Sequence, residues 1–149
     1  MSIDSIFDIA GSAMSAQSLR LNTVASNLAN AQSAASSIDE VYRARHPVFS
    51  AVQARALAEG DGWAELPSTT DEAGRGVQVL GIVESDAPLE MRYEPGHPLA
   101  NEEGYVYYPN VNAVEQMTDM IAASRAFQIN VELLQSAKTM AQRVLTLGQ

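Results

Sequence analysis

The chain has 149 residues, of which 18 are acidic and nine are basic, so its net charge at neutral pH is −9. This length suits one ordinary domain, and the acidic balance argues against binding to nucleic acid or to an anionic membrane surface. The absence of cysteine excludes a disulfide framework, a thiolate zinc site and a cysteine nucleophile.

The first 31 residues predict a long helix with one lengthwise stripe. Its members recur at alternating spacings of four and three, which is the pattern of a heptad seam. The stripe consists of Ile3, Phe7, Ala10, Met14, Gln17, Leu21, Val24, Leu28 and Ala31. Because most other side chains here are small or polar, the isolated helix would be marginal in water. We therefore expect this helix to pack against another helix.

The middle of the chain carries the signals of short strands and loops. Tyr42–Arg55 alternates in the manner of a strand, with Pro47 at an edge or a bulge. Val77–Val83 is the most apolar strand candidate, and Tyr105–Tyr108 predicts a short aromatic strand or turn. Residues 58–76 are rich in glycine and predict a loop. These patterns predict a small β-rich region.

The last part of the chain predicts a second, longer helix. Asn112 followed by Glu115 is a capping-box pattern, and Gly148 follows the final apolar residue as a stop signal. One seam comprises Ala113, Met117, Met120, Ser124, Phe127, Val131, Leu134, Lys138, Ala141 and Leu145. A second apolar line comprises Val114, Ile121, Ile129, Leu133, Met140 and Leu147. Two apolar lines on one helix predict contacts with more than one neighbour.

These elements together predict an α+β fold. Long N- and C-terminal helices would pair as a coiled-coil-like layer, with a small β-rich middle domain between them. We assign residues 1–38 and 112–149 to a terminal helical, inner domain and residues 39–111 to a β-rich outer domain. The terminal segments are nearly neutral, whereas residues 84–103 contribute −5 to the net charge. Neutral helices can pack densely while an acidic middle stays solvated.

The residues offer little support for catalysis. His46 and His97 lie in different segments, each beside a proline and without a second histidine at ligand spacing. Ser124 and Thr118 have no neighbouring base, and the pair Glu102–Glu103 is more typical of a solvated loop than of a metal site. We therefore expect no enzymatic activity, no cofactor and no metal.

Both ends of the chain carry distinctive motifs. At the N-terminal end the motif is Ala16–Ala31. At the C-terminal end the motifs are Glu115–Met117, Asp119–Ile121, Ser124–Phe127 and Asn130. Through these motifs the chain resembles bacterial flagellar rod and hook proteins. The likeness extends over the chain, although Gln32–Ser33 and Ala100–Asn101 depart from the usual pattern and residues 57–74 match nothing recognisable.

The middle narrows the resemblance to the proximal rod members of this family. It is carried there by Tyr93–Pro98 and by Gly104–Asn112, and the short length agrees with it. Two alternatives stay open: another axial rod protein such as FlgB, or a soluble coiled-coil adaptor. The runs Pro109–Asn112 and His97–Pro98 favour the proximal rod protein that the middle of the chain resembles over FlgB. A seam this rich in small residues disfavours an adaptor.

The resemblance implies a structural subunit of the flagellar proximal rod that stacks helically in the periplasmic space and transmits torque. It implies export through the flagellar type III apparatus without a cleaved signal. Met1–Ala10 lacks the basic region of a signal peptide, and direct membrane insertion is not expected. The implied partners are the rod proteins FlgB, FlgF and FlgG, the adaptor FliE and further copies of the same chain.

The candidate assembly interface lies on the apolar stripes of the two predicted helices. We expect neighbouring subunits to complete these faces. The candidate residues are Met14, Leu21, Val24, Leu28, Met117, Met120, Ile121, Phe127, Val131 and Leu134.

Overall fold

The computed structural model describes residues 3–52 and 76–147. In chain order the elements are α1 (Ile3–Asn30), β1 (Arg45–Ala51), β2 (Val77–Glu84), β3 (Glu90–Tyr93), β4 (Tyr105–Tyr108) and α2 (Ala113–Leu147). The α+β class with two long terminal helices is confirmed. The predicted loop over 58–76 lies outside the described residues, apart from Gly76.

Asn112 caps the start of α2, as its sequence pattern predicted. Its side-chain oxygen accepts hydrogen bonds from the amides of Val114 and Glu115, at 3.1 and 3.4 Å. Its carbonyl accepts from the amide of Gln116 at 3.0 Å. These bonds satisfy donors that the first turn of a helix otherwise leaves unpaired.

α1 and α2 pack against each other as an antiparallel pair. Asn27 near the end of α1 hydrogen-bonds Gln116 near the start of α2 at 2.9 Å, which sets the two helices in opposite directions. Small residues dominate the buried positions of the pair: Ala10 and Ala16 on α1, and Ala123 and Ala137 on α2. α2 has 35 residues and α1 has 28, so α2 is longer by about 10 Å.

The inward face of α2 differs in part from the predicted seam. Gln116, Ala123 and Ala137 are buried, whereas Met117 is 52% exposed. Met120, Phe127 and Leu134 are half-buried and alternate with the small residues. The buried positions Gln116 and Ala123 each precede a residue of the predicted seam by one. The face of α2 that packs on α1 is therefore turned slightly from the predicted one, so that small side chains lie between the two helices.

β1 and β2 form an antiparallel pair that packs on α1. The register runs from Arg45 opposite Glu84 to Ala51 opposite Val77, with an irregularity after Val48 that leaves Leu80 unpaired. Of the strand predicted over 42–55, the structure shows Arg45–Ala51 as a strand, and residues 53–55 lie outside the described residues. The strand predicted from Val77 is confirmed. We call this unit the β1–β2 hairpin.

β3 and β4 form a second, separate antiparallel pair within the described residues. Ala35 adds a single bridge to Tyr107, and Val106 is completely buried. The predicted aromatic strand over 105–108 is confirmed. β3 was not predicted as a strand, because Glu90–Tyr93 is short and lies between Pro88 and Pro95.

Candidate assembly interface

Asn27 is completely buried and joins three parts of the chain. Its amide nitrogen donates to the carbonyl of Arg45 at 2.8 Å and to Oε1 of Gln116 at 2.9 Å. Its Oδ1 accepts from the Tyr42 hydroxyl at 2.8 Å and from the Arg45 amide at 2.9 Å. A carboxamide has two donors and two acceptor sites, so Asn27 uses all of its hydrogen-bonding capacity. It ties α1 to α2 and to the start of β1.

Ser12 holds the other end of the β1–β2 hairpin against α1. Its hydroxyl donates to the carbonyl of Ile9 at 2.9 Å and accepts from the amide of Val77 at 3.1 Å. The adjacent Gly76 has φ +133°, and an added Cβ would collide with the Ser12 hydroxyl. Between these two ties, the Arg20 guanidinium lies over the Phe49 ring at 5.0 Å.

Asn110 joins the segments that enter and leave the strands. Its side-chain oxygen accepts from the amide of Ala44 at 2.8 Å, and its nitrogen donates to the carbonyls of Ser85 and Ala87 at 3.3 and 2.9 Å. The segment before β1, the end of the β1–β2 hairpin and the approach to α2 are therefore held together.

The outer side of α2 carries rows of large apolar side chains that the rest of the described chain does not cover, with exposed polar residues such as Arg125 and Glu132 beside them. We call this the outer apolar surface of α2. It consists of Val114, Met117, Ile121, Ile129, Leu133, Met140 and Val144, each at least 45% exposed. Within each half of the helix these residues follow one another at helical spacing. Contiguous apolar exposure of this kind marks an interaction site more often than it marks ordinary solvated surface.

Ionisable groups on the β3–β4 pair form a local charge network. The Arg92 guanidinium lies over the Tyr108 ring at 4.7 Å, and its Nε donates to Glu90 at 3.0 Å. That hydrogen bond and the Glu90 charge raise the pKa of Arg92. Desolvation first, and then the nearby Glu94 carboxylate, raise the pKa of Tyr108. Both shifts keep the side chains in their ordinary charge state at neutral pH, which suits a structural contact.

Within residues 3–52 and 76–147, no group of three or more His, Asp or Glu side chains is placed to hold a metal ion. In the same part of the chain, neither helix is long and apolar enough to span a membrane.

Comparison with known proteins places the chain in a family. Residues 7–32 match the family described as flagella basal body rod protein, and residues 102–147 match the flagellar basal body rod FlgEFG protein C-terminal family. A flagellar basal-body rod protein FlgC from Escherichia coli O6:H1 is 46% identical over 149 residues, covering all of both chains. The FlgC of Salmonella typhimurium is 45% identical with the same coverage. The chain belongs to the FlgC family.

A more distant relative agrees with this placement. The FlgC of Borreliella burgdorferi is 32% identical, covering all of this chain and 99% of that protein. The FlgC-family chain is thus a structural protein of the flagellar basal-body rod, as the resemblance predicted, and a FlgB-like protein or a soluble adaptor is not favoured. Asn27 lies in one family match and Gln116 in the other, so their hydrogen bond joins the two matched segments.

The ten candidate interface residues of this FlgC-family chain fall into two groups. Met117 and Ile121 lie on the outer apolar surface of α2, 52% and 55% exposed. The remaining eight are buried or half-buried along the helix pair: Met14, Leu21, Val24, Leu28, Met120, Phe127, Val131 and Leu134.

Sequence reasoning missed the polar contacts that hold this FlgC-family chain together. Asn27 and Gln116 are part of the family motifs but received no role, because periodicity identifies apolar positions only. A usable signal was present: Asn27 stands between Val24 and Leu28 on an otherwise small or apolar face. A polar residue there needs a buried partner.

Proposed function

We propose that this chain is a proximal rod subunit that assembles helically through its terminal helices and transmits torque. In this proposal the helix pair forms the inner layer of the rod and residues 39–111 form the β-rich outer part. The observation that carries it is the outer apolar surface of α2, which nothing in the described chain covers.

Within the described chain, most large apolar side chains stay at least partly exposed to solvent. The largest fully buried side chains are Val106 and Asn27, while Ile129 and Val144 on α2 are 64% and 65% exposed. Full burial of one such aliphatic side chain stabilises a contact by about 1.5–3 kcal/mol. Neighbouring subunits that cover this surface would therefore add apolar burial that the packing of α1 on α2 does not provide.

We assign the ten candidate residues different parts in assembly. Met117 and Ile121 would contact neighbouring subunits directly, together with Ile129 and Leu133. The eight half-buried or buried candidates would shape the helix pair that presents this surface.

The partners in this proposal are FlgB, FlgF, FlgG, the adaptor FliE and further FlgC copies. Their docking is supported by the apolar, nearly neutral character of α2, because such a surface fits another helix of the same kind. The acidic β-rich part would remain solvated on the outside of the rod.

We further propose that the chain acts in the periplasmic part of the flagellar basal body, after export by the type III apparatus without signal cleavage. The role is structural and not enzymatic. The names of the FlgC relatives, which are basal-body rod proteins, support this assignment.

Ile129→Asp tests the proposal, with Gln135→Asp as the matched control, since Gln135 is exposed on the same half of α2 but on a different face from Ile129 and Leu133. A charge on the outer apolar surface should abolish swimming and reduce the chain in isolated basal bodies by at least about tenfold, because desolvating it in an interface is costly. Gln135→Asp should leave both measurements unchanged.

The purified variants supply the folding control. Both should unfold at nearly the same urea concentration as the parent chain, because the two substituted side chains are solvent-exposed in the monomer. Normal swimming and normal basal-body content of Ile129→Asp would contradict the proposed interface.

A further inference from the structure

The β1–β2 hairpin and α2 each pack against α1. Among the described elements, the backbone of α1 comes close to α2, β1 and β2, whereas the backbone of α2 comes close to neither strand of the hairpin. Hydrogen bonds made by residues of α1 are therefore a route by which the docked α2 can influence the β1–β2 hairpin.

Asn27 is the buried residue that bonds to both sides. One of its two amide hydrogens binds Gln116 of α2, and the other binds the carbonyl of Arg45 where β1 begins. Its oxygen receives the Arg45 amide and the Tyr42 hydroxyl, and Tyr42 also lies 3.2 Å from the hydroxyl of Ser26. The orientation of the Asn27 carboxamide is consequently set by α2 and by the start of the hairpin at the same time.

We propose that Asn27 is a positioning residue that couples the docking of α2 to the ordering of the β1–β2 hairpin. When Gln116 is in place, both Asn27 donors are satisfied and the carboxamide is held in the orientation that receives Arg45. When Gln116 is removed, a buried N–H loses its acceptor, and the carboxamide gains by rotating or by admitting water. Either change weakens the two hydrogen bonds that start β1.

The coupling runs in both directions. A contact that lets α2 stabilise the β1–β2 hairpin must let the hairpin stabilise the first turn of α2 by the same factor. This coupling arises from contacts within one chain and does not depend on assembly. It would therefore hold even if Ile129→Asp showed that subunits meet through another surface.

Hydrogen exchange of the full-length chain tests the proposal, with Gln116→Leu as the variant. The exchange rates of the Arg45–Ala51 amides should rise by at least about tenfold, although no hydrogen bond joins Gln116 directly to β1 or β2 in the described chain. Gln116→Glu keeps an acceptor oxygen at the same reach and should recover at least part of the protection.

Ala123→Gly is the matched control. Ala123 is also completely buried on the inward face of α2, but it offers Asn27 no hydrogen-bond partner. The two variants are compared under conditions, set by urea, in which the amides of α2 exchange equally slowly in both. Any remaining difference in the hairpin then does not come from a difference in the stability of α2. The hairpin amides should then exchange clearly faster in Gln116→Leu. Equal hairpin exchange in the two variants would overturn the proposal.

Tyr42→Phe tests the same coupling in the opposite direction, from the β1–β2 hairpin to α2. It also tests the proposal if Gln116→Leu or Ala123→Gly does not fold. It removes one donor to Asn27 and keeps the ring that lies near Arg45. Exchange at the first turn of α2, around residues 116–120, should accelerate several-fold. Unchanged exchange there would mean that Asn27 is a structural contact without coupling.

Discussion

Gly104 lies where the chain turns into β4, with φ +84°. Its amide donates to the carbonyl of Asn101 at 2.9 Å, and its carbonyl accepts from the amide of Glu94 at 2.9 Å. An added Cβ would lie 2.9 Å from Cε2 of Tyr93 and 3.2 Å from Cβ of Pro95. Both the backbone conformation and the Tyr93 ring, which packs edge-on against Tyr105, therefore require glycine.

Gly104→Ala should destabilise the chain by about 1–3 kcal/mol, because it adds strain at a positive φ and displaces the Tyr93 ring. Gly96→Ala is the control, since its Cβ would meet nothing within 4 Å. Urea unfolding followed by tyrosine fluorescence measures both variants. Equal unfolding midpoints for the two would show that the turn does not have the described conformation.

α1 is a helix whose sequence provides little intrinsic stability. Its buried residues are Ala10, Ala16, Thr23, Val24 and Asn27, none larger than valine or asparagine, and Gly11 interrupts its first half. A Cβ at Gly11 would meet nothing within 4 Å, so no packing contact in the described chain requires glycine there. The element depends on α2 and on the β1–β2 hairpin for its stability.

Gly11→Ala should stabilise α1 by up to about 1 kcal/mol, because alanine loses less backbone entropy in a helix than glycine does. Far-UV circular dichroism during urea unfolding measures the gain. Gly81→Ala is the matched control, since its Cβ is equally unhindered but lies in β2, where no gain in helix propensity follows. A gain no larger than that of Gly81→Ala would indicate that α1 contributes nothing to the measured unfolding.

At the scale of the whole molecule, the described part of the β-rich middle is not one sheet. It comprises two separate two-stranded pairs, and the β1–β2 hairpin packs on α1. Large apolar residues of the hairpin stay exposed, among them Leu80 at 65% and Val83 at 50%. An isolated two-stranded hairpin is at best marginally stable in water. We therefore propose residues 39–111 as the outer part of the chain, but we do not expect them to fold without the terminal helices.

A fragment spanning residues 32–111 should be largely unfolded, because it lacks α1 and with it both Asn27 and Ser12. The measurement is a heteronuclear NMR spectrum of the fragment beside that of the full chain under the same conditions. We expect collapsed amide signals for Arg45–Ala51 and Val77–Glu84 in the fragment. Dispersed signals for these strands in the fragment would show that the middle folds without the terminal helices.

Local sequence patterns determined the elements of this protein whose signals are long or chemically specific. Heptad spacing over many residues identified α1 and α2, and Asn112 marked the start of α2. The apolar run Val77–Val83, rich in β-branched residues, identified β2. β3 was missed because a run of only four residues, two of them charged, is too short to show a period of its own. The family motifs at both ends pointed to a rod protein.

Tertiary structure alone decided how these elements meet. Heptad spacing shows that α2 has apolar faces, but the closest approach to α1 decided that Ala123 and Ala137 lie inside while Met117 and Ile121 lie outside. It also decided that Asn27 and Gln116, 89 residues apart, share a hydrogen bond. Periodicity reports which side chains prefer to leave water, whereas a buried polar side chain is stable only beside a partner. Which partner that is depends on the packed arrangement of the chain.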